Sequence, residues 1–325
     1  MDTGVKSQSE NYIRDLSGSV TIVTGANSGT GFAISKLLYH LGGTVVMTCR
    51  SEDKCASAIA AIKNSSRDEE YLKQEYPVAQ LVPMLLDMND LASVQRFSHE
   101  IKSKFSRLDH LVLNAGSIPD MSSRTVQGLE AAIGTMHVAN VALVKWLTDS
   151  LLTIPPSLGD ASQDITASRV VYVGSFAYVS GAFHSSLFDG TGAGDFNGEI
   201  TDNCGNFGPM NLMSCCPIFA CPITNGYGRA KLANMFHAFE FQRRVDERGV
   251  AAPDGSKPRR LLTSVLHPGS VATNIHPALA SQVVGLFLRP SDSAAYVILH
   301  AMLSNDVLPG ALANLLLNCL FAENY

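Results

Sequence analysis

The stretch "VTIVTGANSGTGFAISKLL", Val20 to Leu38, limits what this chain can fold into more than any other. A β-branched run breaks off into glycines, then resumes with apolar residues at helical spacing. Gly25, Gly29 and Gly31 have no β-carbon, and Asn27 and Ser28 among them are small and polar. Glycine accepts positive φ and lets the backbone approach other groups closely. A helix opening directly after such a loop turns its unpaired N–H groups and positive dipole end back on it. The arrangement suits an anion, above all a pyrophosphate. The bland alternative is a tight strand-to-helix turn that holds nothing.

Further along, short apolar runs alternate with helical patterns. The strand candidates are Val20–Thr24, Thr44–Thr48, Leu81–Leu86, His110–Asn114, Arg169–Ser175 and Leu261–His267. Between them lie segments such as "FAISKLLYHLG" and "LASVQRFSHEIKSKF", with apolar residues three and four apart. Strand, helix, strand at this spacing implies right-handed crossovers, hence an α/β fold with a doubly wound parallel sheet and helices on both faces. At 325 residues, with no internal repeat or linker, the chain reads as one domain over 17–325 behind a loose tail, 1–16. One segment is out of proportion: about 177–224, rich in Gly, Asn, Asp and Cys, set between a strand and a helix. A loop of that length in a compact domain is functional or disordered.

Composition excludes several classes. Apolar residues at 46% and charged residues at 16% describe a globular chain. A net charge of −5 gives no basic footprint for nucleic acid, and "KPRR" at Lys257–Arg260 reads as a solvated loop. The polar start "MDTGVKSQSENYIRD" resembles neither a signal peptide nor an anchor, so a cytoplasmic location is expected. The apolar stretches "SQVVGLFL" and "ALANLLLNCLF" are too short to span a bilayer, although they suit core packing or peripheral membrane contact.

In the context of the strand before it and the helix after it, the glycine loop points to a nucleotide. The second strand ends at "TCRS", where a doubly wound sheet meets the adenosine ribose. An acid there would favour NAD(H); Arg50 stands there instead, and its guanidinium can pair with a 2′-phosphate. NADP(H) is therefore the preferred cofactor and NAD(H) the alternative, with Glu52 and Asp53 read as first-turn helix acids. Asp87, in "LLDMND", sits where it could accept from the adenine amine or serve as a helix N-terminal acid.

Two stretches carry the chemistry. "VVYVGS" is a buried-strand pattern that ends in Ser175 at the carboxyl edge of the sheet. "YGRAKLANMF" starts a helix with Tyr227 and Lys231 four apart on one face. An ammonium beside a phenol favours the phenolate. Tyr227 could then exchange a proton with an alcohol or carbonyl oxygen to which Ser175 hydrogen-bonds, while Lys231 reaches the nicotinamide ribose. A lone Tyr and Lys at helical spacing would otherwise be surface decoration.

Together, "TGANSGTG" (Thr24–Gly31), "LNAG" (Leu113–Gly116), "VGS" ending at Ser175, "YGRAK" (Tyr227–Lys231) and "HPGSVAT" (His267–Thr273) resemble the short-chain dehydrogenase/reductase superfamily. The wording "TCRSEDK" and "YGRAKLANMFHAFEF" looks most like its retinol-dehydrogenase, WW-domain-oxidoreductase and protochlorophyllide-reductase-like branch. The resemblance implies a Rossmann fold and hydride transfer between a nicotinamide and a hydrophobic alcohol or carbonyl compound. It assigns Ser175, Tyr227 and Lys231 to catalysis, Asn114 to the cofactor cleft and Thr273 to the nicotinamide end. The partners expected are that small molecule and, as an allowed assembly, a second copy of the chain.

The chain departs from the family pattern in three places. Thr30 replaces a branched apolar residue between the last two glycines, a mild change. The family's relay asparagine falls on Met136, and a thioether cannot donate a hydrogen bond. Asn140, one turn on, or His137 could rebuild the relay; otherwise turnover is impaired, and a cofactor-binding regulatory or scaffold protein is the alternative function. The third departure is the gap from Ser175 to Tyr227, 52 positions. It holds Cys204, Cys215, Cys216 and Cys221 with no C-x-x-C pair, and His184 lies far from them in sequence, so no metal is expected and a substrate-covering loop is. His267 and His276 read as structural or substrate-lining.

Overall fold

A computed structural model describes residues 14–66, 78–119, 122–153, 167–175, 177–178, 223–248, 259–269, 271 and 289–304. Most of the cysteine-containing insert, Thr273 and His276 lie outside the described residues. In chain order the elements begin with β1 (Val20–Val23), α1 (Gly29–His40), β2 (Thr44–Cys49), α2 (Glu52–Lys63), β3 (Gln80–Leu85), α3 (Leu91–Lys104) and β4 (His110–Leu113). An α turn at Ala131–Ile133 and a π-helical turn at Gly134–Val138 then lead directly into α4 (Ala139–Leu152). The series closes with β5 (Ala167–Val173), α5 (Ile223–Arg248), β6 (Arg260–Leu266) and α6 (Ser291–Leu303).

All six strands run parallel in the order β3-β2-β1-β4-β5-β6. The order reverses between β1 and β4, the switch point where such sheets open a crevice at their carboxyl ends. Each expected strand is present within two residues at either end. Ser175 lies two residues past the end of β5 rather than in it.

Why both faces are covered follows from the period of two. Val23, Val45, Met47, Val112, Val171 and Val173 point into one core, which α1, α2 and α6 complete through Ile34, Leu38, Ile62 and Ile298. Their neighbours Ile22, Val46, Leu111, Leu113, Val170 and Tyr172 point into the other, closed by α3, α4 and α5 through Phe97, Ile101, Leu147 and Ala238. Strands buried on both sides read as unbroken apolar runs, which is what makes them visible in the sequence.

The amino-terminal edge of the sheet is tied by charge. Asp109 Oδ2 accepts from the Val20 amide at 2.7 Å and from Arg107 Nε at 3.0 Å, while Oδ1 accepts from Arg259 Nη2 at 2.5 Å. Arg107 also donates to the Gly18 carbonyl and Arg259 to that of Leu108, so the entries to β1, β4 and β6 are joined. This corrects the reading of "KPRR" as a solvated loop. Arg259 is buried, with its side chain 3% exposed, because Asp109 supplies the countercharge; Arg260 begins β6 and is exposed.

Burial alone would raise the Asp109 carboxyl, but Arg259, His110, Arg107 and the Val20 amide outweigh it and hold it below the ordinary carboxylate range. A depressed folded value means the cluster stabilises fully above the unfolded value of about 3.9 and loses that contribution as pH falls through the folded one. Asp109→Ala leaves two arginines beside an empty acceptor and should cost ~3–5 kcal/mol in urea unfolding near pH 7. The loss should shrink as pH falls below about 4, where the unfolded chain's aspartate takes up a proton, and vanish as pH passes through the lower folded value. A cost under ~1 kcal/mol at neutral pH would class the cluster with exposed pairs.

Candidate functional site

At the switch point the chain leaves β1 through a turn built for close approach. Gly25 and Gly29 have φ of +65° and +54°. A β-carbon on Gly31 would overlap the Gly25 carbonyl and press on Asn114 Nδ2, so α1 can close on the strand end only with glycine there. Thr24 Oγ1 accepts from the amides of Asn114 and Ala115, both at 2.9 Å, and the Ala26 amide donates to the Thr48 carbonyl at 3.1 Å. The turn is thereby fixed to β4 on one side and β2 on the other. Asn114 was expected in the cofactor cleft. Its side chain donates to the carbonyls of Thr24 at 2.9 Å and Gly25 at 3.4 Å, so it holds the turn itself.

Helix termini distinguish this edge. Ser28 and Ser51, the N-caps of α1 and α2, make no side-chain capping bond. At α3, by contrast, Asp90 caps the amides of Ala92 and Ser93. Ser28 is exposed and Asn27 half-buried. Arg50 is exposed in the bend between β2 and α2, with Glu52 and Asp53 in the first turn of α2, as expected of them. Asp87, just past β3, accepts from the Asn89 amide at 3.0 Å; the helix-capping acid is Asp90 instead.

The second half of the site gathers at the ends of β5 and β6. The Gly174 amide donates to the Leu266 carbonyl at 2.6 Å, and a β-carbon on Gly174 would crowd that oxygen, so the two strand ends stay close. Lys231, on α5, is 5% exposed and donates from Nζ to the Val173 carbonyl at 2.7 Å. Its ammonium stands 5.3 Å from the centroid of the Tyr227 ring, one turn earlier on the same helix. Lys231 and Ser175 line one cleft with Tyr178, Met235 and His267. Ser175 Oγ accepts from the Ala177 amide at 3.2 Å. Burial, together with Arg289 and Lys231, pushes His267 down to about 4, so its imidazole is neutral in the cleft at physiological pH.

Met136 occupies the π turn and is 1% exposed, packed with Ala132, Ala230 and Tyr227. A β-carbon on Gly116 would touch both Met136 Sδ and Lys231 Nζ, so a thioether borders the ammonium's surroundings. Two side-chain amides take the Met136 carbonyl in the π turn: Asn140 Nδ2 at 2.5 Å and Asn234 Nδ2 at 2.8 Å. His137 Nδ1 lies 3.1 Å from Asn234 Oδ1 and fixes that amide. The Asn140 amide nitrogen is thus committed to its own helix, while Oδ1 stays buried without a partner among the described residues.

Sequence reasoning missed Tyr178, an aromatic three residues past Ser175, and Asn234, three residues past Lys231 on the helix that carries the Tyr–Lys pair. It also missed a disulfide between Cys49 and Cys55, which bracket Arg50. A strand-end cysteine with a second six positions on was the available signal. Among the described residues no cluster of metal-ligating side chains occurs, and no helix is long and apolar enough to cross a membrane.

The short chain dehydrogenase family model matches residues 19–187. Similar proteins include the short chain dehydrogenase/reductase dpchH of Colletotrichum higginsianum, 28% identical over 91% of this chain and 66% of its own length. Human retinol dehydrogenase 14 is 29% identical over 80% of this chain and 64% of its own, and the human WW domain-containing oxidoreductase is 28% identical over 81% and 51%. The chain therefore spans about half to two thirds of these relatives. Among solved structures, the Pseudomonas aeruginosa RhlG/NADP complex superposes with a TM-score of 0.60 at 17% identity, over 92% of this chain and 94% of that one. A Burkholderia cenocepacia short chain dehydrogenase in complex with NADP gives 0.59 at 18% identity, over 91% and 96%. With the family model covering more than half of its length and the same parallel architecture, the chain belongs to the short-chain dehydrogenase/reductase family.

Proposed function

We propose that this protein is an NADP(H)-dependent oxidoreductase that moves a hydride between nicotinamide and a hydrophobic alcohol or carbonyl compound. The observation that carries the reading is the buried Lys231 ammonium, held on the Val173 carbonyl beside the Tyr227 ring and opening on the cleft that Ser175 lines. A phenol hydroxyl set next to a buried cation at the mouth of a cleft is placed to exchange a proton with an oxygen bound there.

The turn fits a dinucleotide. Gly31 lets α1 close on the Gly25 carbonyl, and the uncapped amino terminus of α1 faces the place a pyrophosphate would take. Asn27, Ser28 and Gly29 would line that pyrophosphate, Arg50 would pair with a 2′-phosphate, Asp87 would accept from the adenine amine, and Thr273 would meet the nicotinamide end. Both solved structures named above are NADP complexes, which supports the same preference. When bound, the nicotinamide supplies the hydride in reduction and accepts it in oxidation. Tyr227 donates its proton to the carbonyl oxygen in reduction and takes it back in oxidation. Ser175 donates a hydrogen bond to that oxygen, and Lys231 holds positive charge beside the phenol throughout. The hydrophobic side chains at the cleft, such as Met235, suit an apolar substrate, and retinol dehydrogenase among the relatives points the same way.

A second reading rests on Met136. With a thioether near the ammonium and the Met136 carbonyl engaged by two amides, residue 136 itself offers water no polar group, which favours slow turnover or a cofactor-binding protein without it.

Three variants test these assignments. Tyr227→Phe should bind NADPH as the native protein does and lose about 100-fold or more in turnover; near-native turnover would remove Tyr227 from the chemistry. Arg50→Asp should weaken NADPH by roughly tenfold or more while sparing NADH; a native preference for NADH would contradict the role of Arg50. Met136→Asn should raise turnover if proton supply limits the enzyme, and an unchanged rate across pH would place the limit elsewhere.

A further inference from the structure

Cys49 is the last residue of β2 and Cys55 the fourth of α2, with Arg50 and the N-cap Ser51 between them. Their sulfurs are bonded, and their α-carbons stand 5.7 Å apart, a span that a disulfide bridges without backbone movement. Both belong to the core beneath the sheet edge, with Met47, Ala58 and Ile62. The loop they close carries the guanidinium already read as the partner of the 2′-phosphate. Ser51 makes no side-chain cap, so α2 lacks the polar lock that Asp90 gives α3. The covalent bond takes the place of that lock. A reduced state is also provided for: Cys55 Sγ lies 3.3 Å from the Met47 carbonyl oxygen, which a thiol there would use as acceptor. Neither redox state leaves a buried sulfur in a hostile setting.

We propose that the Cys49–Cys55 pair is a positioning and specificity-determining device for the cofactor: the disulfide fixes the turn that presents Arg50, and reduction loosens it. The inference rests on the reading of Arg50 as the phosphate partner. Exchange runs with a small-molecule disulfide as oxidant. The Cys55 thiolate attacks one sulfur of the oxidant and expels one thiol. Cys49 then displaces the second thiol and closes the Cys49–Cys55 bond. Two electrons pass to the oxidant, and the two protons of the dithiol end on the released thiols. Because Cys49 is 3% and Cys55 1% exposed, exchange requires the first turn of α2 to open, and a nucleotide seated on that turn should slow it.

The test equilibrates the full-length protein with oxidised or reduced glutathione and assigns each cysteine by peptide mapping without reductant. NADPH and NADH affinities are then measured in both states by fluorescence titration. The expected result is a Cys49–Cys55 peptide in the oxidised sample and NADPH binding about tenfold weaker on reduction, the loss of one charge-assisted contact, with NADH unchanged. Cys55→Ala and Cys55→Ser should both sit at the reduced affinity and ignore the redox state. Added NADPH should slow reduction of the native bond. Two unpaired thiols at 49 and 55 after oxidation, equal NADPH affinity in the two states, or a redox response that survives in either Cys55 variant would overturn the proposal. Arg50→Ala separates the two layers. If it abolishes the NADPH preference while redox state changes nothing, the nucleotide reading stands and this inference falls; if it leaves NADPH affinity intact, both fall.

Discussion

The contact between α1 and the end of β1 is the constraint on which the site depends. Gly31 brings the helix against the Gly25 carbonyl, and Asn114 bridges from β4 to the same turn. Widen that contact by one methyl group and three things move together: the helix terminus proposed to face the nucleotide, the strand junction at the switch point, and the β4 exit that leads to Gly116. The Thr24 hydroxyl gathers these pieces by accepting from Asn114 and Ala115. Polar groups at this edge are spent on holding a shape, which leaves the backbone amides of the helix terminus to meet the proposed ligand.

A second fixed point lies across the sheet. The Lys231 ammonium is buried, and a buried charge must have partners. The Val173 carbonyl supplies one at 2.7 Å, possible because β5 stops there and Gly174 turns to the end of β6. That bond orients α5 against the sheet, and helical spacing then sets Tyr227 beside the same charge. The π turn before α4 forms the facing wall. It presents an apolar side chain, Met136, where a polar one would give water a foothold, and closes its spare carbonyl with Asn140 and Asn234. The proposed machinery for proton exchange and the proposed obstacle to it are built from adjacent residues.

How much of this could be read from the sequence follows from physical range. Five strands were legible because they are buried on both faces and read as apolar runs, the edge strand β3 because its residues are mostly apolar although partly exposed, and the glycine turn because no other residue type fits its contacts. Tyr227 and Lys231 were legible as a pair because one helical turn is a short-range relation. Long-range partners were not. "KPRR" looked solvated because nothing local discloses that Asp109, 150 positions away, neutralises Arg259. Asn140 looked like a substitute for the relay asparagine because helical spacing places it on the right face, but the π turn shifts that register and returns its amide to the Met136 carbonyl. The cysteines of the long insert drew attention by their density, while Cys49 and Cys55 sat in two different elements.

The account's central claim is hydride transfer on this scaffold rather than nucleotide binding alone. NADPH carrying deuterium at C4 of the nicotinamide, incubated with the protein and a panel of hydrophobic ketones and aldehydes, tests it most directly. Mass spectrometry of the products should find one deuterium on the carbinol carbon of at least one alcohol, formed in step with nucleotide oxidation. Tight NADPH binding with no deuterated alcohol from any carbonyl compound, and no NADP-dependent oxidation of the corresponding alcohols, would contradict it.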